Sequence, residues 1–308
     1  MITYYKKNGK KVAKQEYNET NCWVDCVCPD ISEVKYISKE LNIDYDFLKS
    51  AIDEEETPHI DVEDDVTLIV LDTPVKENTD KNSSYYTTPI SIFITKSNIL
   101  TISLKNNDIS NILNSKFIKN ADINNKLNFV LNVMLFVSRK YLKYINQITK
   151  TGDMIENVLQ KSMKNKELMQ LLEIKKSLVY FSSSLKNIKI TLEKMTRSNF
   201  VKVHGEDREL LDDVLIEIKQ AIEMTDTYFN IISSTMEAFA SIISNNLNIV
   251  MKILASLTLI ISIPTVVSGL YGMNTPNLPM MQHWWFPLVI SGVLMYFSYL
   301  ILKYKDMI

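Results

Sequence analysis

Residues Ile253 to Leu302 read ILASLTLIISIPTVVSGLYGMNTPNLPMMQHWWFPLVISGVLMYFSYLIL, 50 consecutive residues with no Asp, Glu, Lys or Arg. The chain has 308 residues and 23% are charged, so about eleven charges would be expected in a stretch of that length. Divided at its polar centre, the stretch gives Ile253 to Tyr271 and Trp284 to Leu302, each 19 residues long. A helix of that length reaches about 28 Å, the hydrocarbon thickness of a bilayer. The competing reading is a pair of core helices in a large soluble domain, but core helices that long carry a charged face. Two transmembrane helices are therefore expected at 253–271 and 284–302. The loop 272–283 between them holds no Lys or Arg, whereas Lys252 precedes the first span and Lys303 and Lys305 follow the second. The positive-inside rule places both termini in the cytoplasm and the loop outside. Trp284 and Trp285 suit an interfacial aromatic belt at the outer end.

Outside this block the chain reads as an ordinary soluble protein. With 34 basic and 36 acidic side chains, its net charge of −2 gives no reason to expect a nucleic-acid partner. The opening MITYYKKNGKK is charged and lacks the apolar core of a signal peptide, so targeting is expected to rest on the spans. Cys22, Cys26 and Cys28 fall in the part assigned to the reducing cytoplasm, and their spacing matches no zinc pattern. If they lie on one strand, their even spacing places all three on one buried face.

Breaker residues divide the rest. Prolines stand at 29, 58, 74 and 89 and then not until Pro264. Before the gap, short β-rich runs (22–28, 66–75, 91–98 and 99–105) alternate with the helical runs DISEVKYISKEL and DYDFLKSAI. Residues 1–120 are thus expected to form a cytoplasmic α/β domain with an antiparallel or mixed sheet. From about Ile123 the pattern turns helical: one helix to about Met163, a turn, and a return to about Asn199, a helical hairpin within 121–205. A third helix starts after Gly205. Its weakly interrupted stripe Leu211, Val214, Ile218, Ile222, Thr225, Phe229, Ile232, Met236, Phe239, Ile243 and Leu247 meets no Gly or Pro before Pro264. One helix of about 64 residues, roughly 95 Å, should run as a stalk through 206–252 into the membrane. Such a stripe needs partner helices or other subunits.

Enzyme signatures are missing. No Gly lies between Gly9 and Gly152, which excludes a glycine-rich phosphate loop in the α/β domain, and the only histidines, His59, His204 and His283, are far apart. No catalytic residue and no cofactor is expected. Eight carboxylates fall within Asp53 to Asp65, either a solvated loop or a cytoplasmic divalent-cation site. In the first span, Asn248, Met251, Ala255, Thr258, Ser262, Thr265 and Gly269 share one helical face, with Leu254 at its edge. Small and hydroxylated residues there serve either close helix packing or the lining of a pore. Two spans cannot enclose a channel, so a pore requires an oligomer.

The span closes in Tyr271-Gly272-Met273-Asn274, and Asn248-Ile249-Val250-Met251-Lys252-Ile253-Leu254 leads into it. This strongly resembles the CorA family of magnesium transport proteins, whose first span follows an N-x-x-M-K-x-L start and ends in Y-G-M-N. Trp23-Val24-Asp25 followed by Pro29, and Pro58-His59-Ile60-Asp61-Val62 leading into Leu68 to Leu71, look like that family's cytoplasmic domain. The resemblance covers nearly the whole chain. It implies a homopentamer in the cell membrane, with five long helices lining the pore, the second span in an outer ring, and residues 303–308 as a cytoplasmic tail. Gly272, Met273 and Asn274 would form the external selectivity site, where neutral oxygens hold Mg²⁺ without stripping its tightly bound water. Gly269, Thr265, Ser262 and Thr258 would line the pore, Leu254 and Met251 would make an apolar constriction, and Asn248 would lie below it. Asp213 matches the family's stalk aspartate at an intersubunit regulatory metal site, where cytoplasmic Mg²⁺ would gate influx.

Two features depart from the family pattern. Thr275 to His283 holds no acidic residue, and Pro264 lies ten residues before Asn274, where eleven is usual. A Zn²⁺, Co²⁺ or Ni²⁺ transporter of the same architecture is the closest alternative, with His283 as its one external soft-metal ligand. A membrane-anchored signalling protein is the more distant one, because the outer loop is too short for a sensor domain.

Overall fold

A computed structural model of the chain describes residues 1–8, 11–16, 20–78, 83–105, 124–162, 165–197, 206–273, 278–280 and 282–307. Two compact units divide it, Met1–Ser234 and Thr235–Ile308, and the boundary falls inside one helix.

The first unit is built on a seven-stranded mixed sheet: β1 (Ile2–Asn8), β2 (Lys11–Gln15), β3 (Trp23–Val27), β4 (Ile60–Glu63), β5 (Val66–Asn78), β6 (Ser83–Ile94) and β7 (Ile99–Ser103), in the order β2-β1-β3-β7-β6-β5-β4. Among the described residues only the β3–β7 pair is parallel, with Trp23 opposite Ile99 and Val27 opposite Ser103. The central strands carry apolar residues on both faces because both faces are covered. Cys22, Val24, Cys26, Leu68, Val70, Phe93, Leu100 and Ile102 meet Val34, Ile37, Phe47 and Leu48 of α1 (Ile31–Leu41) and α2 (Tyr45–Ser50). Asp30 caps α1 by accepting from the Glu33 N–H while Glu33 returns to the Asp30 N–H, a capping box. Asn42 ends it at φ 54°, a conformation Asn tolerates better than most residues.

The other face receives two long helices, α3 (Lys126–Ser162) and α4 (Asn165–Arg197). Trp23 packs against Phe129 with ring centroids 5.1 Å apart, and its indole N–H donates to Thr101 Oγ1 at 2.8 Å. The Thr101 hydroxyl in turn donates to Asp25 Oδ1 at 2.8 Å. Asp25 is only 3% exposed, and this burial lifts its carboxyl to about 6 against the opposing pull of Thr101. The Trp23-Val24-Asp25 motif is thus a joint between sheet and helices. On β5, Tyr141 donates to the Asp72 carbonyl at 3.1 Å and Ser184 to Asp72 Oδ2 at 2.5 Å, tying α3 and α4 to the same strand.

The thiols divide differently from the even-spacing expectation. Cys22 and Cys26 are buried, but β3 ends at Val27, and Cys28 turns outward at φ 48° with its backbone N–H on the Ser103 carbonyl at 2.8 Å. The three therefore do not share one buried face.

α5 is a single 66-residue helix, Glu206–Tyr271. Within the first unit its buried residues are Asp207 near its start and then the stripe Val214, Ile218, Ala221, Thr225, Tyr228 and Ile232. The stripe is turned slightly from the apolar series, with Ala221 and Tyr228 inside rather than Ile222 and Phe229. Thr225 is accepted there because its hydroxyl donates to the Ala221 carbonyl at 2.7 Å. Polar contacts hold the same segment: Asn125 and Asn128 donate to Asp207, Arg139 to Glu217 at 2.9 Å, and Lys186 pairs with Asp226 at 3.0 Å. Burial works to raise the Asp226 carboxyl, but Ser182 and Lys186 outweigh it and hold the group below its ordinary value.

The second unit holds the remainder of α5 and the antiparallel α6 (Phe286–Tyr304), which starts two residues after Trp284, with Pro287 in its first turn. Both helices are long and apolar enough to cross a membrane, and only 11% of each apolar window is buried within the chain.

Candidate ion pathway

Over residues 253–271 of α5, the residues that turn inward are Ser256 and Val267, with Ile260, Ile263, Pro264 and Tyr271 half-buried. Their steps of three and four make one face. Tyr271 of this face meets Phe286 of α6, whose own buried residues are Ser291 and Leu302. Asn248, Met251, Leu254, Thr258, Ser262, Thr265 and Gly269 are all exposed. At 100° per residue, Leu254 to Gly269 centre about 180° from the Ser256–Val267 face. The side chains singled out from spacing therefore lie on the face of α5 that α6 leaves open.

That face is shaped by its hydroxyls. Thr258 donates to the Leu254 carbonyl at 2.8 Å and Ser262 to the Thr258 carbonyl at 2.7 Å, with Thr265 at the limit of reach of Ile261, 3.5 Å. Each hydroxyl spends its proton on its own helix, so what it presents outward is oxygen lone pairs. Thr258, Ile261, Ser262, Thr265 and Val266 line an open groove of about 310 Å³. On the opposite, half-buried side of the helix, Pro264 withholds the N–H that the Ile260 carbonyl would otherwise accept.

The helix ends at the motif. The Gly272 N–H donates to the Ser268 carbonyl at 2.9 Å and the Met273 N–H to Leu270 at 3.3 Å. A Cβ on Gly272 would lie 3.2 Å from the Ser268 carbonyl oxygen, so a side chain there crowds the last turn. The Tyr271 hydroxyl donates to the Pro279 carbonyl at 3.2 Å, and its ring meets Phe286 edge-on at 6.2 Å. One tyrosine thus joins the end of α5, the returning loop and the first residue of α6. Gly272 and Met273 are exposed, whereas Asn274 lies outside the described residues. His283 sits on the turn before α6 with its ring 5.8 Å from that of Trp285.

In the first unit, Asp213 is exposed on α5. Among the described residues no three His, Cys, Asp or Glu side chains converge as metal ligands, at Asp213 or elsewhere. Part of the acidic run gathers with Asp44 around a cavity of about 550 Å³ lined also by Glu63, Asp64 and Asp65, but Asp65 already pairs with Lys96 at 2.5 Å. The run itself is a turn, the short strand β4 and a β4–β5 hairpin.

Spacing alone missed Ser256 as an anchor. Its hydroxyl donates to the Met307 carbonyl at 3.1 Å, a partner 51 residues away that no local pattern signals.

The chain matches the family described as CorA-like Mg²⁺ transporter protein over residues 18–304. It is 28% identical over 286 residues to the cobalt/magnesium transport protein CorA of Methanocaldococcus jannaschii, covering 90% of this chain and 89% of that one. The magnesium transport protein CorA of Helicobacter pylori is 23% identical over 315 residues, covering 95% of each chain. Among solved structures, the complete CorA magnesium transporter of M. jannaschii superposes with a TM-score of 0.80 over 99% of this chain and 96% of that one, at 22% identity. That superposition establishes the fold: an α+β domain, long helices and two C-terminal apolar helices in one order. Because the family match takes in strands β3 to β7, the helical hairpin, all of α5 and the whole of α6, the chain belongs to the family of CorA-like Mg²⁺ transporter proteins.

Proposed function

We propose that this chain carries Mg²⁺, and Co²⁺ as a second cargo, into the cell across the membrane through a pore made by five copies. The observation that carries the reading is the opposition of the two faces of α5, α6 on one and oxygen-bearing Thr258, Ser262 and Thr265 on the other. Five such helices turned inward would line a path with neutral oxygens, with Gly269 above them and Leu254, Met251 and Asn248 below. Gly272, Met273 and Asn274 would meet the hydrated ion at the outer end. Mg²⁺ gives up its water reluctantly, so oxygens that bind the hydrated ion do less work than a cage that must strip it. Co²⁺ is added because the M. jannaschii relative is named for both ions. The proposed path holds neither thiolate nor imidazole, which disfavours a soft-metal specialist.

Asp213 is proposed to hold regulatory cytoplasmic Mg²⁺ together with side chains of a neighbouring copy, because among the described residues its own copy brings no group of three ligands together there. Cation bound there must prefer the closed assembly in order to inhibit.

Purified protein in liposomes, loaded with a Mg²⁺-sensitive dye, tests both parts. Asn274→Ala should lower Mg²⁺ entry at least ten-fold with the protein still inserted, and unchanged entry would remove Asn274 from the site. Asp213→Asn should move inhibition by internal Mg²⁺ to higher concentration. An unmoved inhibition curve would remove Asp213 from regulation while leaving the pore reading intact.

A further inference from the structure

The end of α6 is closed by an unusually complete stop. The Asp306 N–H donates to the Lys303 carbonyl at 3.2 Å and the Met307 N–H to the Leu302 carbonyl at 3.0 Å, with Asp306 at φ 51°. This is the paired bonding of a Schellman turn, with an aspartate where glycine is usual. The turn reverses the chain so that the Met307 carbonyl accepts from Ser256, whose side chain is wholly buried beside the end of α6. The tail is therefore fixed to α5 at a defined height.

Lys252 lies one helical turn before Ser256, rotated by only about 40°, and so on the same side of α5 as that contact. Lys252 from one helix and Lys303 and Lys305 from the other consequently share one end of the two-helix unit. All three are exposed, and among the described residues none has a carboxylate within ion-pair distance. From Ala238 onward the chain holds a single acidic side chain, Asp306, so among side chains this end sets three positive charges against one negative. The opposite end, 272–285, carries none. Three unpaired ammonium groups at the rim of an apolar helix pair are placed to meet anionic groups at the depth where a bilayer presents them.

We infer that Lys252, Lys303 and Lys305 form a binding surface for the headgroups of anionic phospholipids, held in shape by the Ser256–Met307 bond. The inference rests on α5 and α6 crossing the bilayer, but not on which ion passes. Each lysine near an anionic surface contributes about a five-fold preference, so the three together should favour an anionic over a zwitterionic lipid by about 100-fold before Asp306 subtracts its share.

Native mass spectrometry of the full-length protein, titrated with phosphatidylglycerol or phosphatidylcholine in detergent, reads that preference directly. The wild type should retain phosphatidylglycerol at much lower lipid concentration, and the preference should shrink as salt rises. The triple variant Lys252→Gln, Lys303→Gln, Lys305→Gln should lose it, the matching triple arginine variant should keep it, and Asp306→Asn should strengthen it. Equal retention of the two lipids by the wild type would overturn the inference and point to carboxylates of a neighbouring copy as the lysines' partners. A preference that survives in the triple glutamine variant would overturn it too, as would abolition of phosphatidylglycerol binding by millimolar inorganic phosphate, which would assign the lysines to a soluble anion. Should the glutamine variant fail to insert, the arginine and Asp306→Asn variants still decide, since an absence of gain on removing the one acid contradicts a charge-based site. Mg²⁺ entry into purely phosphatidylcholine liposomes reports on transport separately, so loss of lipid preference with entry intact fails this inference alone.

Discussion

Gly152→Ala in α3 tests how closely α5 is seated on the helical hairpin. An ideal Cβ on Gly152 would stand 2.2 Å from the Tyr228 hydroxyl oxygen, 3.2 Å from Cζ and 3.4 Å from Ile232 Cδ1. Tyr228 is 7% exposed, and its hydroxyl donates to the Thr149 carbonyl at 2.8 Å, with Asp153 Oδ1 at 3.3 Å. Helix propensity alone favours alanine over glycine by about 1 kcal/mol. Against this, the hydroxyl must retreat by more than an ångström, losing a bond worth about 1 kcal/mol and forcing a packed ring to shift at a further cost of about 1–3 kcal/mol. The balance is about 1–3 kcal/mol of destabilisation. Tyr228→Phe alone should cost about 1 kcal/mol. In the double variant the obstructing atom is gone, so the propensity gain offsets the lost bond and stability should return to within about 1 kcal/mol of wild type. For a unit of this size, about 2 kcal/mol corresponds to a fall of about 4–8 °C in the thermal midpoint, read by intrinsic fluorescence on the full-length protein in detergent. A Gly152→Ala protein as stable as wild type, or a double variant destabilised by the sum of the two singles, would refute the notch.

Two further outcomes follow from individual side chains. Asp25 is held at about 6 in the fold, against about 3.9 in an unfolded chain. Between those values the folded protein keeps a proton that the unfolded chain has released, so stability falls as pH rises through the window, by about 3 kcal/mol in all. An amide at this position does not titrate, so the thermal midpoint of Asp25→Asn relative to wild type should rise between pH 4 and pH 7, and a constant difference would show that Asp25 does not ionise in that window. The pair Thr258→Val and Ser262→Ala separates pore lining from packing: because both hydroxyls bond only to their own helix, stability should change by less than about 1 kcal/mol while Mg²⁺ entry falls several-fold, and the reverse pattern would mark the face as a packing seam.

The central strands were legible because β5 holds the continuous apolar run Leu68–Leu71 and β7 is β-rich and buried on both faces throughout Ile99–Ser103. The strands toward the sheet's two edges were not. ITYYKKN in β1, KVAKQ in β2 and IDVE in β4 carry the charges that edge regions use against unwanted pairing, and so read as loop. Nor was the parallel β3–β7 pairing accessible, since two helices and three strands intervene and local periodicity holds no information on who pairs with whom. Along α5 the spacing located the stripe but set it about one residue off. Ala221 buries because it is small enough for a close approach, and Tyr228 because the Thr149 carbonyl receives its hydroxyl, neither of which a hydrophobicity pattern records. In the second unit the oxygen-bearing face was readable, since it depends only on helical geometry. The face that meets α6 depends on a serine and a distant carbonyl, and was not.

The uncharged loop at 272–283 does not leave the proposed mouth electrically neutral. The last turn of α5 holds no basic residue, so nothing there opposes the partial negative charge, about half an elementary charge, at a helix C-terminus. Of the final carbonyls, Ser268 and Leu270 accept from Gly272 and Met273, and these amides turn the chain without reversing the alignment of the peptide dipoles behind them. Carbonyl groups at such an end cannot be left facing hydrocarbon without cost. In the proposed pentamer five of these termini converge, and together they amount to about two and a half negative charges, comparable with the charge of one divalent cation. An acidic outer loop would attract cations over a distance set by screening, whereas aligned dipoles act only within the first turn. The arrangement therefore favours a cation already at the mouth over one approaching it. Entry at low external Mg²⁺ should then depend less steeply on ionic strength than in relatives whose loops carry carboxylates.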